Sequence, residues 1–136
     1  MTEMISADSA VTDQALVDKI KNDLLGVDDI ELVAEFFKAL SDPTRLNIVN
    51  ALQLHEWLCV SDLAAILGMS RSAISHQLSY LRLNDLVRVR RDGKRAFYAL
   101  SDNHVKHVFA MAVEHICEGD ETHAPVVSGG EADDAE

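Results

Sequence analysis

Four side chains that can bind a metal ion lie in one stretch near the C-terminal end: Asp102, His104, His115 and Glu118. Carboxylate oxygens and imidazole nitrogens are both zinc ligands. At 100° per residue, His104, His115 and Glu118 fall on one face of a helix. The pattern predicts a metal site. The alternative is that Asp102 only caps a helix and the histidines are exposed to solvent.

These side chains cannot surround one ion within a single chain. His104 and His115 are separated by about 16 Å along a helix axis, whereas zinc–nitrogen bonds are about 2 Å long. Two such helices packed antiparallel about a two-fold axis would bring Asp102 and His104 of one copy to His115 and Glu118 of the other, giving two equivalent sites. A tetrahedral set of oxygen and nitrogen ligands favours Zn(II), with Co(II) as a surrogate, whereas Ni(II) prefers more ligands.

A second stretch, residues 60–86, has the pattern of a helix-turn-helix. An apolar-periodic run ends at Gly68, a suitable helix C-cap, and a second run begins after Ser70, a suitable N-cap. Two short helices joined by such a turn are a helix-turn-helix. The second helix would bury one apolar stripe and present short polar side chains on its opposite face, which suits a major groove.

A β-hairpin is predicted directly after this motif, over residues 87–100. Apolar and charged residues alternate there, and Asp92 and Gly93 predict the turn. Basic side chains cluster at the tip, which is typical of the wing of a winged helix; the alternative is a solvated cationic turn. The residues that we expect to contact DNA are Arg71, Ser72, Ser75, His76, Gln77, Ser79, Arg90, Arg91, Lys94 and Arg95.

The rest of the chain predicts helices over 13–25 and about 29–40, a third helix that begins at Pro43, and a last helix over 102–118. We therefore expect one domain at 13–118, whose first and last helices form a dimer. Residues 1–12 and the acidic tail 119–136 lack an apolar period, which predicts disorder.

The net charge of −11 is unevenly distributed. Residues 41–100 hold eight basic and five acidic side chains, so the positive charge is concentrated around the helix-turn-helix, where DNA phosphates would need it. No apolar run is long enough to span a membrane. The two cysteines are not a disulfide framework, which favours a cytoplasmic protein.

Three motifs resemble the ArsR/SmtB family of bacterial metal-responsive repressors: Leu-Ser-Asp-Pro-Thr-Arg-Leu at 40–46, Leu-Cys-Val-Ser-Asp-Leu-Ala at 58–64 and Ser-His-Gln-Leu at 75–78. The resemblance covers roughly residues 30–118. It implies a homodimeric winged helix-turn-helix protein, mainly α-helical with a β-hairpin wing. Four helices would be followed by the recognition helix, two strands and a last helix.

The resemblance also implies that the dimer binds an inverted-repeat operator in double-stranded DNA and is released when metal binds. The spacing Asp102-x-His104 and His115-x-x-Glu118 resembles the zinc site on the last helix of SmtB-type sensors. His107 lies on the same face and is expected to be only exposed. We therefore expect a zinc-responsive transcriptional repressor with no membrane partner and no small-molecule substrate.

The alternative is a winged-helix repressor that senses another signal, either Co or Ni or thiol oxidation through Cys59 and Cys117. In the cadmium, lead and arsenic branches of the family that this chain resembles, a second metal site uses a Cys-x-Cys pair. This chain has Cys59-Val60-Ser61 at the matching position, so one thiolate is missing. We expect both cysteines to be structural. An enzyme is not expected, because there is no His-Glu-x-x-His motif and a closed four-ligand site leaves no position for water.

Overall fold

The computed structural model describes residues 10–118. Of the segments predicted to be disordered, 1–12 and 119–136, only residues 10–12 are among them, and these belong to no helix or strand. It contains two units, one up to Ala34 and one from Glu35. The helices are α1 (Gln14–Asp23), α2 (Val27–Ala39), α3 (Pro43–Leu54), α4 (Val60–Leu67), α5 (Arg71–Leu83) and α6 (Asn103–Glu118). The strands are β1 (Leu58–Cys59), β2 (Val87–Asp92) and β3 (Arg95–Leu100).

In the first unit, α1 begins where its sequence supplies a cap. The Asp13 carboxylate accepts a hydrogen bond from the backbone N–H of Leu16 at 3.3 Å and thereby satisfies one of the free N–H groups of the first turn. The apolar side chains of Leu16 and Ile20 are 49% and 50% exposed. A helix with an apolar stripe gains most of its stability from burying that stripe, so this one is suited to further packing.

In the second unit, the helix ends also follow from local chemistry. Asp42 accepts from the backbone N–H of Arg45 at 3.1 Å, and Pro43 occupies the first helical position of α3. Gly68 ends α4 in the left-handed conformation, with φ of 66°, which glycine adopts without steric cost. Ser70 accepts from the N–H of Ala73 at 3.0 Å at the start of α5.

The core lies between α3, α4, α5 and the sheet. The apolar stripe predicted for the second helix of the helix-turn-helix is fully buried, because Ile74, Leu78 and Leu81 each have 0% of their surface exposed. Ile48 of α3 and Leu63 of α4 are buried against this stripe to the same extent. Burial of these side chains fixes the position of α5 on the rest of the unit.

The sheet has three antiparallel strands in the order β1-β3-β2. The hairpin register pairs Val87 with Leu100 and Asp92 with Arg95. The turn therefore consists of Gly93 and Lys94 rather than Asp92 and Gly93, because Asp92 still belongs to the ladder. Gly93 has φ of 67°, as a tight hairpin turn requires.

The short strand β1 was not predicted, because two residues carry no detectable period. Leu58 and Cys59 become a strand only by pairing with Tyr98 and Phe97 of β3. The predicted winged helix-turn-helix, mainly α-helical with a β-hairpin wing, is confirmed. Between residues 10 and 118, no helix is long and apolar enough to cross a membrane.

Candidate functional site

The polar face of α5 is accessible along most of its length. Ser72, Ser75, His76 and Ser79, all predicted to contact DNA, are exposed on the side opposite the buried stripe. Their side chains can donate and accept hydrogen bonds. This is the position of the recognition helix in a helix-turn-helix.

The wing and the recognition helix line one cleft of about 460 Å³. The residues around it come from the end of β1, the start of α4, the first half of α5, and the strands and turn of the wing: Cys59, Val60, Ser61, Arg71, Ser75, Arg91, Lys94, Arg95, Ala96 and Tyr98. Arg71 also donates to the hydroxyl of Ser61 at 3.2 Å, which ties α5 to α4. Four basic side chains around one concave surface are suited to the DNA backbone.

Arg90, which was also predicted to contact DNA, stacks on Trp57. Its guanidinium carbon is 4.4 Å from the centroid of the Trp57 ring, and that of Arg88 is 4.7 Å from the same centroid. Arg88 also donates to the Leu100 carbonyl at 3.1 Å and lies 3.5 Å from the Glu56 carboxylate. These contacts connect the base of the wing to the segment before β1.

Gln77 is half-buried, unlike the other predicted residues of the recognition helix. Its side-chain oxygen accepts a hydrogen bond from Arg45 of α3 at 3.1 Å. The amide oxygen is thus directed at the protein, so Gln77 has a structural contact in addition to its predicted contact with DNA.

Cys59 is buried, as expected, with 3% of its surface exposed. The Arg95 guanidinium lies 3.7 Å from its sulfur. Cys117 of α6 is only partly buried.

The start of α6 holds the first half of the predicted metal site. One oxygen of Asp102, Oδ1, accepts from the backbone N–H groups of His104 at 2.9 Å and Val105 at 3.4 Å. The other, Oδ2, lies 3.4 Å from Nδ1 of His104. Asp102 therefore caps the helix with one oxygen and leaves the second beside an imidazole nitrogen, so capping and metal binding are compatible.

The Asp102 carboxyl has a perturbed pKa. Desolvation raises the pKa, but the hydrogen bond from the backbone of His104, the side chain of His104 and the N–H of Val105 outweigh it and lower the pKa below its usual value. The group is thus held in the ionised form that a metal ion requires.

His115 and Glu118, the second half, are exposed near the other end of α6. Within residues 10–118, no three His, Cys, Asp or Glu side chains of the single chain lie close enough to hold one metal ion. The structure brings Asp102 and His104 together and leaves the two halves at opposite ends of one helix.

Sequence reasoning missed Arg45, Trp57 and Arg88. Arg45 lies inside one of the quoted motifs, but its contacts with α5 cross 32 positions of sequence. The sequence did contain a signal for the wing contacts. Arg88 and Arg90 are two positions apart on a strand, so they lie on the same face and can stack on the same ring. Nothing in the spacing indicates that Trp57 supplies that ring.

Comparisons with known proteins agree with this geometry. A family model described as bacterial regulatory protein, arsR family, matches residues 42–89. The transcriptional repressor SmtB homolog of Synechocystis sp. is 41% identical over 118 residues, which are 87% of this chain and 89% of that protein.

Two solved structures are similar to the fold. The crystal structure of the antimony-specific transcriptional repressor AntR gives a TM-score of 0.67 at 31% identity, covering 82% of this chain and 98% of that chain. The homodimeric winged helix-turn-helix DNA-binding domain Mb0332 of Mycobacterium bovis gives a TM-score of 0.60 at 32% identity, covering 65% of this chain and 85% of that chain.

The fold and its cationic surface define a transcriptional regulator of the winged helix-turn-helix class. The chain belongs to the ArsR/SmtB family of bacterial regulatory proteins.

Proposed function

We propose that this chain is a zinc-responsive transcriptional repressor of the bacterial cytoplasm. It binds an inverted-repeat operator as a homodimer. It releases the operator when Zn(II) is bound by Asp102 and His104 of one subunit with His115 and Glu118 of the partner subunit.

The observation that carries the zinc assignment is the distance between Oδ2 of Asp102 and Nδ1 of His104, 3.4 Å. Carboxylate oxygen and imidazole nitrogen are both zinc ligands, so the start of α6 offers two neighbouring donors to one ion. With His115 and Glu118 added, the ligands would be oxygen and nitrogen only, which suits Zn(II) better than the softer cadmium ion.

The homodimer is supported by the apolar surface that the single chain leaves exposed. Met111 and Ile116 of α6 are 65% and 62% exposed. Exposed apolar surface is where protein–protein contacts form, so these side chains are suited to packing against a second copy. The similarity to the homodimeric domain Mb0332 supports the same arrangement.

DNA release follows from the two-fold symmetry of such a dimer. The two recognition helices can read two half-sites only when they are about one DNA turn, ~34 Å, apart. Metal ligands from both subunits constrain how α6 packs on its partner, and therefore the distance between the recognition helices. The dimer geometry that binds zinc tightly must fit the operator less well than the zinc-free geometry. If both geometries bound zinc equally, zinc would not shift the equilibrium between them.

The test is a zinc titration of the purified full-length dimer. Anisotropy of a labelled operator duplex, selected by this protein from a random pool, reports DNA binding in parallel. We expect release to be complete at about two zinc ions per dimer. Co(II) should act as a surrogate, giving the visible absorption of a tetrahedral site.

Two histidines on the same helix provide a matched pair of variants. His104→Ala should abolish both tight zinc binding and release, whereas His107→Ala, one turn away and exposed, should keep both. Normal zinc release by His104→Ala would contradict the proposed site. Release by thiol oxidants that requires Cys59 or Cys117, with no response to zinc, would instead favour the redox alternative, and a stronger response to Ni(II) would favour a nickel sensor.

A further inference from the structure

Each of the three guanidinium nitrogens of Arg45 contacts an acceptor within the protein. Its Nε donates to the carbonyl of Ala39 at 2.6 Å, and Nη2 lies 3.4 Å from the carbonyl of Lys38. Both carbonyls are in the last turn of α2. The third nitrogen, Nη1, donates to the side-chain oxygen of Gln77 on α5 at 3.1 Å. One side chain thus joins α3, α2 and the recognition helix.

The face of the same group lies on a second residue of α5. The guanidinium carbon of Arg45 is 4.2 Å from the centroid of the Tyr80 ring. Gln77 and Tyr80 are three positions apart and therefore lie on one side of the helix, one turn after the other. A hydrogen bond to one and a stacking contact with the other oppose rotation of α5 about its axis.

The rotational setting of α5 decides which side chains reach the bases. The polar groups of a helix lie about 5–6 Å from its axis, so a rotation of about 20° moves them by about 2 Å. That displacement is enough to break a hydrogen bond to a base edge. It would leave the long and flexible basic side chains of the wing in reach of phosphates.

Arg45 itself is poorly placed for a phosphate contact. It is half-buried, and its hydrogen bonds are donated to two main-chain carbonyls and a side-chain amide. Arginine can donate several hydrogen bonds in one plane and stack on an aromatic ring with the face of the same group. Lysine cannot do both.

We propose that Arg45 is a positioning residue for operator recognition: it holds Gln77 and Tyr80 and so fixes the rotation of α5 against the end of α2. The inference rests on the proposed operator binding and adds a specificity-determining residue outside the DNA-contacting surface. Zinc binding does not enter it.

The test compares Arg45→Lys with the wild-type full-length protein on two duplexes, the selected operator and a scrambled one. We expect the operator affinity to fall about tenfold or more. Affinity for the scrambled duplex should stay within about twofold, and the slope of log K against log salt should be unchanged, because the number of phosphate contacts is the same. The matched control is Arg82→Lys, which changes an exposed arginine at the end of the same helix. It should leave the affinity for both duplexes and the salt slope unchanged.

Two further comparisons separate positioning from a merely structural role. Tyr80→Leu should reproduce the operator-selective loss, whereas Tyr80→Phe keeps the ring and should retain binding; these variants decide the question even if Arg45→Lys fails to fold. In a double-mutant cycle, Arg45→Lys with Gln77→Ala should lose less operator affinity than the sum of the two single losses, since the two residues share one hydrogen bond.

Three results would overturn the inference. A salt slope lower by about one, with equal loss on both duplexes, would mean that Arg45 contacts a phosphate. A lower denaturation midpoint with unchanged operator preference, for Arg45→Lys or Tyr80→Leu, would mean that it only stabilises the fold. A wild-type protein without operator preference would overturn this inference and the proposed DNA binding together, while a wild type that binds the operator but ignores zinc would overturn only the zinc sensor.

Discussion

The helix-turn-helix with its wing and helix α6, which carries the proposed metal ligands, differ in how much of each site one chain supplies. The cleft between α5 and the wing has its basic residues in place around one concavity. On α6, only Asp102 and His104 lie close together, and His115 and Glu118 are near the opposite end of the helix.

This difference has a physical reason. Side chains that contact an extended polyanion can lie along a surface, because each phosphate is a separate ligand. A single zinc ion needs four donors at about 2 Å, and one straight helix cannot place both ends of itself around a point. A DNA surface can therefore be built in one chain, while the proposed metal site requires two.

The largest expected effect is on zinc affinity, measured for two variant homodimers and for the dimer that mixes their subunits. His104→Ala and His115→Ala homodimers should each bind zinc at least about a hundredfold more weakly than wild type, more than the tens-fold loss caused by outer-shell changes. A dimer with one subunit of each kind keeps one complete site, formed by Asp102 and His104 of one subunit with His115 and Glu118 of the partner subunit. Competition with a chromophoric chelator should detect about one tight zinc ion per mixed dimer.

A mixture that binds zinc no better than its two parent proteins would contradict a site shared between subunits. The control is the mixed dimer of His104→Ala with His107→Ala, in which one of the two sites is also intact.

The next effect concerns the stability of the DNA-binding unit. Leu78 is fully buried in α5, so Leu78→Ala should lower the free energy of unfolding by about 2–5 kcal/mol. Ser79→Ala, at the exposed neighbouring position, should change it by less than about 0.5 kcal/mol. Urea denaturation with excess chelator measures both. Equal losses of unfolding free energy for the two variants would mean that the side of α5 that carries Leu78 is not the buried one.

A third prediction concerns α1 as part of the dimer interface. Ile20 is half exposed, so Ile20→Lys should leave the fold of the subunit intact and weaken dimerisation by about tenfold or more, because each subunit loses one buried apolar side chain. Sedimentation equilibrium measures the dissociation constant. Asn22→Lys adds the same charge at an exposed polar position and should leave it unchanged. The prediction fails if both variants dimerise as tightly as wild type.

The smallest effect is expected at the tip of the wing. Lys94→Ala should weaken binding to all duplexes by a few-fold and reduce the salt slope by about one, because one phosphate contact is lost. Lys106→Ala, which removes an exposed lysine of α6, is the control. An unchanged slope together with altered base preference would show that Lys94 reads bases instead.

The sequence predicted the helices of the second unit well, because their ends depend on local chemistry. Asp42 with Pro43, Gly68 and Ser70 act within one turn of the backbone that they cap or terminate. The buried stripe of α5 was equally predictable, since its period is a property of the helix itself. The position of the wing turn was one residue off, because the strand register is set by cross-strand pairing over the whole hairpin.

The candidate site divides in the same way. Residue types and spacing alone identified the possible zinc ligands and showed that one chain cannot complete their site. The contacts of Arg45 with Gln77 and of Trp57 with Arg90 join residues more than 30 positions apart, and periodicity carries no information at that distance.

What the sequence by itself determined is therefore the helix-turn-helix, the hairpin after it, the residue types available for the proposed metal site, and the family. Only the tertiary structure decided that β1 is a strand, that Arg45 contacts the recognition helix, and that wing and helix share one cleft. The physical reason is range: caps, turns and helix faces depend on neighbours within about four residues. Pairing, stacking and cleft formation depend on which distant segments the packed core brings together.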